Sequence, residues 1–283
     1  MTQRVRDHLG RFGVWLGSSQ ATAELALGLE RLGYGTLWLG GSPDGGLAQV
    51  DELLEATTTL SLATGIVNMW KDDAHTVAAS FQRIKDRQPG RFLLGVGAGH
   101  REATQEYANP YDTLARYVDV LRADGVPADS LVLAALGPRV LRLSAERAGG
   151  AHPYLVPPEH TRQARKILGP GPLLAPEQKV VLRTDPGQAR AIGRPRVEKP
   201  YLGLANYTAN LRRLGWTDAD LRGGGSDALI DALVAHGSAA QVAARLTEHL
   251  DAGADHVSVQ LLTPPGADPA GGYRELAQAL GLR

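Results

Sequence analysis

Cysteine is absent from the 283-residue chain, which excludes a disulfide framework, a thiolate metal site and a cysteine nucleophile. Net charge is absent as well. The 30 Lys and Arg are offset by 30 Asp and Glu, so the basic excess that a nucleic-acid binder normally carries is missing. No apolar run approaches the length of a membrane span, and the opening residues MTQRVRDHLGRFG lack the apolar centre of a signal peptide. These absences predict a cytoplasmic protein that binds neither nucleic acid nor membrane. With three Phe and two Met, the core falls to Leu, Val and Ala, while 34 Gly predict many tight turns.

Short apolar runs of β character alternate with segments of helical spacing from one end to the other. The strand candidates are residues 11–17, 36–40, 60–67, 91–96, 131–136, 151–156, 179–182 and 256–262. Helical spacing at 21–32, 76–86, 113–123 and 139–148 runs in each case into glycine: Gly33, Gly90 after Pro89, Gly125, and Gly149-Gly150. Glycine is a good helix stop because it adopts the left-handed conformation that closes the last turn. Eight strands, each followed by helical sequence, predict a (β/α)8 TIM barrel in a single domain spanning 1–283. Residues 186–237, with Pro195, Pro200 and Gly223-Gly224-Gly225, are too long for one helix. They predict an insertion between strands seven and eight, with short helices at 201–214, 218–221 and 226–235 before a helix at 239–252. Such an excursion either lies over one rim of the barrel or serves packing or oligomer contact.

In a barrel the chemistry belongs at the carboxyl ends of the strands. The run RFLLGVGAGH at 91–100 is a buried strand that enters a glycine-rich turn. Gly95, Gly97 and Gly99 remove β-carbons from alternate positions, so a flat ligand can lie against bare backbone around Gly97, Ala98 and Gly99. His100 follows, with an ordinary pKa suited to proton transfer near neutrality. A dinucleotide fingerprint would need glycine at 100 and fails there. Trp15, Trp38 and Trp70 approach the same face with His152 and Tyr154 from strand six, and the three tryptophans with Tyr154 predict an aromatic substrate pocket. After strand five, Leu136-Gly137-Pro138-Arg139 opens a helix with Pro at its first position, which leaves free amides and the Arg139 charge for a phosphate. Gly65, inside the β-branched run before Asn68, marks a bulge, a close backbone approach or an ordinary strand irregularity.

Other candidates carry less. Asp72, Asp73 and His75 have no further metal-ligand spacing, so no metal site is expected, and the acidic pair reads better as the cap of the helix that follows. His249 and His256 fall at the face opposite the site and read as structural.

The segments LATGIVNMW (62–70), RFLLGVGAGH (91–100), YVDVL (117–121), LAALGPRVLRLSAERAGGAHPYLV (133–156), YLGLANYTANLRRLGW (201–216) and ALVAHGSAAQVAARLTEHLDAGADHVSVQ (232–260) together carry a resemblance. They resemble the bacterial luciferase-like monooxygenase superfamily, and within it an actinobacterial branch of probable oxidoreductases dependent on the deazaflavin coenzyme F420. The resemblance implies a barrel of the luciferase-like type with a flavin or deazaflavin at the carboxyl ends of its strands. It implies a non-prolyl cis peptide at Gly65–Ile66 with Asn68 beside it, a phosphate turn at Leu136, Gly137, Pro138 and Arg139, and an acid/base position at His100. It further implies a small-molecule substrate and a homodimer.

Two positions depart from the sugar-phosphate dehydrogenases of that superfamily. Gly40, Gly41 and Ser42 stand where those enzymes carry a His or an acid after strand two, and Val156 and Glu159 stand where they carry Thr and Lys. The expected function is hydride transfer between F420 and a small organic substrate. The alternatives are an FMN-dependent monooxygenase that uses reduced flavin and oxygen, and a non-catalytic flavin-binding protein.

Overall fold

The computed structural model describes residues 8–99 and 109–282. Among these residues, eleven parallel strands are interspersed with helices: β1 (Phe12–Gly17), β2 (Thr36–Gly40), β3 (Ser61–Gly65), β4 (Val67–Asn68), β5 (Phe92–Gly97), β6 (Leu131–Leu133), β7 (Gly150–Ala151), β8 (Leu173–Leu174), β9 (Glu177–Val181), β10 (Val234–His236) and β11 (Val257–Leu261). The pairing runs β10, β9, β11, β1, β2, β3, β5, β6, β7, β8, with β4 beside β5. The two ends of that order are one stretch of chain. β8 pairs with β7 and β9 with β11. Between them the Ala175 and Glu177 amides donate to the Ala151 and Pro153 carbonyls, while those of Asp255 and Ser258 donate to Leu174 and Pro176. The ladder therefore returns to its start, and β1, β2, β3–β4, β5, β6, β7, β8–β9 and β11 are the eight staves of a barrel.

The strands are apolar at nearly every position because each is covered twice, by helices outside and by side chains filling the barrel. One interior layer can be read from the register, in which Trp15 pairs with Trp38, Trp38 with Ala63, and Ala63 with Leu93. These four pack in one buried cluster with Val132 and Ala175. The outer layer is formed by α1 (Ala23–Arg31), α2 (Ala48–Ala56), α3 (Ala74–Arg87), α4 (Pro110–Ala123), α5 (Pro138–Arg147), α6 (Pro158–Leu168), α11 (Ala239–Asp251) and α12 (Ala270–Ala279). Asp73 caps α3, its side chain accepting from the Thr76 amide at 3.0 Å. This use of an acid at a helix start is the one its sequence position implies.

The insertion folds as α7 (Pro186–Glu198), a 3₁₀ turn at Tyr201–Gly203, α8 (Ala205–Arg213), α9 (Asp218–Leu221) and α10 (Asp227–Leu233). Its apolar residues Tyr207, Leu211 and Leu229 pack with Leu155, Val181 and Leu262, which stand at the carboxyl ends of β7, β9 and β11. The insertion thus lies over the rim formed by the carboxyl ends of the strands. Two expectations need correction here. Residues 234 and 235, expected to end a helix, instead form β10 with His236 against the end of β9. The seventh stave begins at Leu173 rather than at 179, because the segment before Lys179 completes the ring. Polar Glu177, Gln178 and Lys179 hid that stave in the sequence.

Candidate active site

The floor of the site is a bulge between the third and fourth staves. Leu62 and Ala63 pair with Phe92 and Leu93, whereas Val67 and Asn68 pair with Val96 and Gly97. Three residues, Thr64 to Ile66, therefore stand opposite two, Leu94 and Gly95, which defines a β-bulge. The Thr64 hydroxyl repairs the interrupted ladder: it donates to the Gly95 carbonyl at 2.8 Å and accepts from the Gly95 amide at 2.8 Å. Within the bulge the Gly65–Ile66 peptide bond is cis, as the resemblance implied.

The glycines of β5 serve this bulge rather than a ligand. A β-carbon on Gly95 would sit 1.9 Å from the Thr64 carbonyl oxygen, and one on Gly97 would sit 2.8 Å from Ala134 and 3.2 Å from Ile66. Gly97 is buried and does not reach the cavity. The expectation that a ring lies on bare backbone at Gly97 is corrected: the space is taken by Ile66 and Ala134, which themselves form the cavity wall. Gly99 and Ala98 do line it. Gly99, at φ +57°, has the Asn68 side-chain amide 2.5 Å from where a β-carbon would be. Asn68 is held there by its Oδ1, which accepts from the Trp70 amide at 3.0 Å. His100 lies outside the described residues.

Two adjacent compartments of about 240 and 230 Å³ open above the bulge, with Ile66, Gly99, Ala134, His152 and Tyr154 lining both. The first is walled by Trp15, Gly41, Ser42 and, from the insertion, Tyr201. The second extends past Tyr111 to Leu136, Gly137 and Val140 at the start of α5. Together they have the size and the mainly apolar lining of a small-molecule site.

Of the expected aromatic residues, Trp15 and Tyr154 meet in the cleft with ring centroids 5.1 Å apart. Trp38 does not join them. It is fully buried in the barrel, stacked on His152 at 4.1 Å, and its Nε1 donates to His256 Nε2 at 3.0 Å. Trp70 packs against the outer core and lines neither compartment. Both depart from expectation because a strand-end position does not reveal which face of the stave a side chain takes.

His152, expected at this face from strand six but assigned no role from the sequence, borders both compartments. Its Nδ1 faces the Ala175 carbonyl at 2.7 Å, and a carbonyl only accepts, so Nδ1 carries the proton. Nε2 is therefore an acceptor; it is buried and has no partner, on a residue whose ring borders the cleft. Burial holds the imidazole down at about 4, so it is neutral at pH 7. Tyr154 is fixed from the other side. Its hydroxyl donates to Gln260 at 2.9 Å and accepts from Tyr201 at 3.2 Å. Lys179 Nζ lies 3.9 Å over its ring and is paired with Glu177 at 3.2 Å.

The expected helix start is present, with Gly137 as N-cap and Pro138 at the first position of α5. Arg139, however, lays its guanidinium on the Tyr111 ring, 4.2 Å from the centroid, instead of facing the turn. The charge near Gly137 comes from Arg213 of α8, whose Nη2 is 3.5 Å from the glycine's β-carbon position. The insertion supplies this contact, and no local sequence signal announces it. Val156 is buried and Glu159 exposed, so neither substitutes for the missing Thr and Lys.

His160, His249 and His256 are also buried and neutral. His160 donates to the Leu136 carbonyl, His256 to that of Gly10, and His249 to Gln178 while accepting from Thr161. Burial holds His160 and His256 at about 4 and His249 at about 3, against 6.5 when exposed. The folded state thus binds fewer protons than the unfolded state between pH 6.5 and 4, and stability is complete above that window and falls as pH drops through it. At about 1.4 kcal/mol per unit for each group, His152 and these three remove several kcal/mol by pH 5. That is a large share of the roughly 5–15 kcal/mol typical of folded proteins. Thermal melts at pH 7.5 and 5.0 should differ by more than about 10 °C; coincident melts would refute the neutral assignment.

Comparison with known proteins agrees with this architecture. Residues 8–123 match the family model of the luciferase-like monooxygenases. No curated protein matches the sequence. Among solved structures, the chain is similar to an F420-dependent secondary alcohol dehydrogenase in complex with an F420–acetone adduct. The TM-score is 0.73 at 15% identity, over 95% of this chain and 98% of that one. It is also similar to a coenzyme F420-dependent tetrahydromethanopterin reductase from Methanopyrus kandleri (TM-score 0.71, 15% identity, 96% and 99% covered). A third is the oxygenating constituent of 3,6-diketocamphane monooxygenase from Pseudomonas putida with FMN (0.65, 13% identity, 96% and 97% covered). The fold is that of the luciferase-like α/β barrels. Identity this low bears on the fold alone.

Proposed function

We propose that the protein is an oxidoreductase that moves a hydride between the deazaflavin coenzyme F420 and a small organic substrate. The observation that carries this reading is the two-compartment cavity, which runs from an aromatic cleft over a β-bulge to the free amides at the start of α5. A flat ring with an anionic arm matches it in size, shape and charge. Ile66, Gly99 and Ala134 would hold the ring, and the amides after Gly137, with Arg213, would hold the arm. When bound, the ring supplies a carbon that takes up or releases a hydride. The chain's own part is to orient the substrate between Trp15, Tyr154 and Tyr201, to exclude water through the insertion, and to hold or move one proton. His100, from its sequence position after β5, is proposed for that proton, with F420 rather than FMN as the expected ring.

The likeness to the FMN-containing camphane monooxygenase component supports a second reading, in which the protein is a monooxygenase that uses reduced FMN and oxygen. Titration of the purified protein with each ring, followed by ring fluorescence, decides between them. Oxidised F420 is expected to bind at least about tenfold more tightly than FMN. FMN binding without F420 binding would overturn the proposal in favour of the monooxygenase. A bound ring that no hydride acceptor reoxidises would make the protein a flavin carrier.

A further inference from the structure

The first compartment is walled by one large side chain that rests on two missing ones. Trp15 of β1 pairs with Trp38 of β2, whereas Gly40 pairs with Gly17, two positions nearer the carboxyl end. Gly40 in turn pairs with Gly65 on the third stave. The Trp15 indole rises past its own layer and lies against both glycines. A β-carbon on Gly40 would sit 1.8 Å from Trp15 Cζ2 and 2.3 Å from Cη2, and one on Gly65 would sit 2.7 Å from Nε1. These separations are far inside van der Waals contact, so the indole fills the space that side chains at 40 and 65 would need. Gly40 is buried and does not line the compartment, whereas Trp15, Gly41 and Ser42 do. The indole therefore covers Gly40. Its other neighbours hold it there. Tyr154, tied by its hydroxyl to Gln260, has its ring centroid 5.1 Å away, and Trp38, in the layer from which the indole rises, is stacked on His152.

We infer that Trp15 determines the substrate size this cleft accepts: its indole, seated on Gly40 and Gly65, closes the first compartment on the side of β2 and limits it to compact apolar bodies. Behind the indole stands the backbone of two hydrogen-bonded staves rather than a flexible side chain. The wall therefore does not retreat before a larger guest, because a packed interior yields little. The facing walls, Ile66, Tyr154 and Tyr201, are apolar or aromatic, which favours an apolar body in the space that remains. A smaller residue at 15 opens the seat to the ligand, since Gly65 already borders the compartment. A side chain at 40 does the opposite, because the indole then has to move toward the cavity. Assigning this space to the substrate rests on the redox reading above; the seat and its effect on size do not.

The test uses cyclohexanol and adamantanol, which carry the same hydroxyl on a small and a large apolar body, with binding to the full chain followed by calorimetric titration. Wild type is expected to bind cyclohexanol at least about tenfold more tightly than adamantanol. Trp15→Ala should reverse that order, because an emptied apolar space takes up apolar guests. Gly40→Ala should weaken cyclohexanol about tenfold by crowding the indole into the compartment. The same change made on top of Trp15→Ala should leave both affinities within about twofold, since nothing remains to be displaced. A role in stability alone would not make the effect at 40 depend on the residue at 15. Trp15→Leu keeps more of the packing and should shift the ratio the same way by at least about threefold, which keeps the test decisive where Trp15→Ala folds poorly. An unshifted ratio in the folded Trp15 variants, or a Gly40→Ala effect equally large with and without the indole, would overturn the inference. A shifted ratio without F420 or FMN binding would keep the role of Trp15 and remove the redox reading. Ring binding with an unshifted ratio would do the reverse.

Discussion

Lys179→Met is expected to lower the unfolding free energy by about 3–5 kcal/mol. Lys179 and Glu177 are 1% and 0% exposed, and burial pushes both toward their neutral forms, Glu177 up and Lys179 down. Their mutual contact at 3.2 Å opposes that push. Removing the ammonium leaves Glu177 with the Leu155 amide as its remaining partner, at 2.9 Å. A buried carboxylate in that position must either remain uncompensated or take up a proton. Lys179→Met with Glu177→Gln should therefore recover most of the loss, because an amide has no charge to bury. Urea unfolding of the single and double variants checks this; a single variant within about 1 kcal/mol of wild type, or a double variant no better than the single, would refute it.

The same variant reaches the cleft. Lys179 donates to Gln260 at 3.0 Å, and Gln260 in turn accepts from the Tyr154 hydroxyl at 2.9 Å. The ion pair thus holds the aromatic wall as well as the barrel interior.

Gly95→Ala is the second large effect, with an expected loss of at least about 3 kcal/mol and of ring binding. The new β-carbon would fall 1.9 Å from the Thr64 carbonyl oxygen. That atom is backbone, fixed by the Thr64 hydroxyl bonds to Gly95, so the bulge as a whole must shift, and Ile66 with it. Gly28→Ala in α1 is the matched contrast. No atom lies within 4 Å of its β-carbon position, and glycine inside a helix costs roughly 0.5–1 kcal/mol relative to alanine, so this change should stabilise. Chemical denaturation gives both signs in one experiment. A tolerated Gly95→Ala would show that the bulge is softer than its hydrogen bonds imply.

Much of the site's scaffold was legible before any coordinates. Gly65 inside a β-branched run signalled the irregularity that turned out to be the bulge, and Gly-Pro at 137–138 signalled a helix start. Asp73 signalled a cap, and the proline- and glycine-broken stretch from 186 signalled an insertion of short helices. Each depends on residues close together in the chain, whose preferences are local. The parts played by Trp38 and His152 were not legible. Trp38 looks like a pocket residue until its partner His256, 218 positions away, takes its N–H. His152 looks like one more polar residue at a strand end until Ala175, 23 positions away, commits its proton and leaves Nε2 an acceptor without a partner. Gly97 misled for a related reason: a missing β-carbon shows that something approaches, and only the packed structure shows that Ile66 and Ala134 do.

By itself the sequence determined the alternation of buried strands with capped helices, and with it the barrel and the rim where chemistry belongs, because periodicity and turn chemistry act over a few residues. The tertiary structure decided which nitrogen of His152 stays free, which tryptophan faces the cavity and which arginine meets the α5 turn. Those outcomes depend on contacts between distant staves, where one carbonyl or one neighbouring ring settles the direction of a side chain.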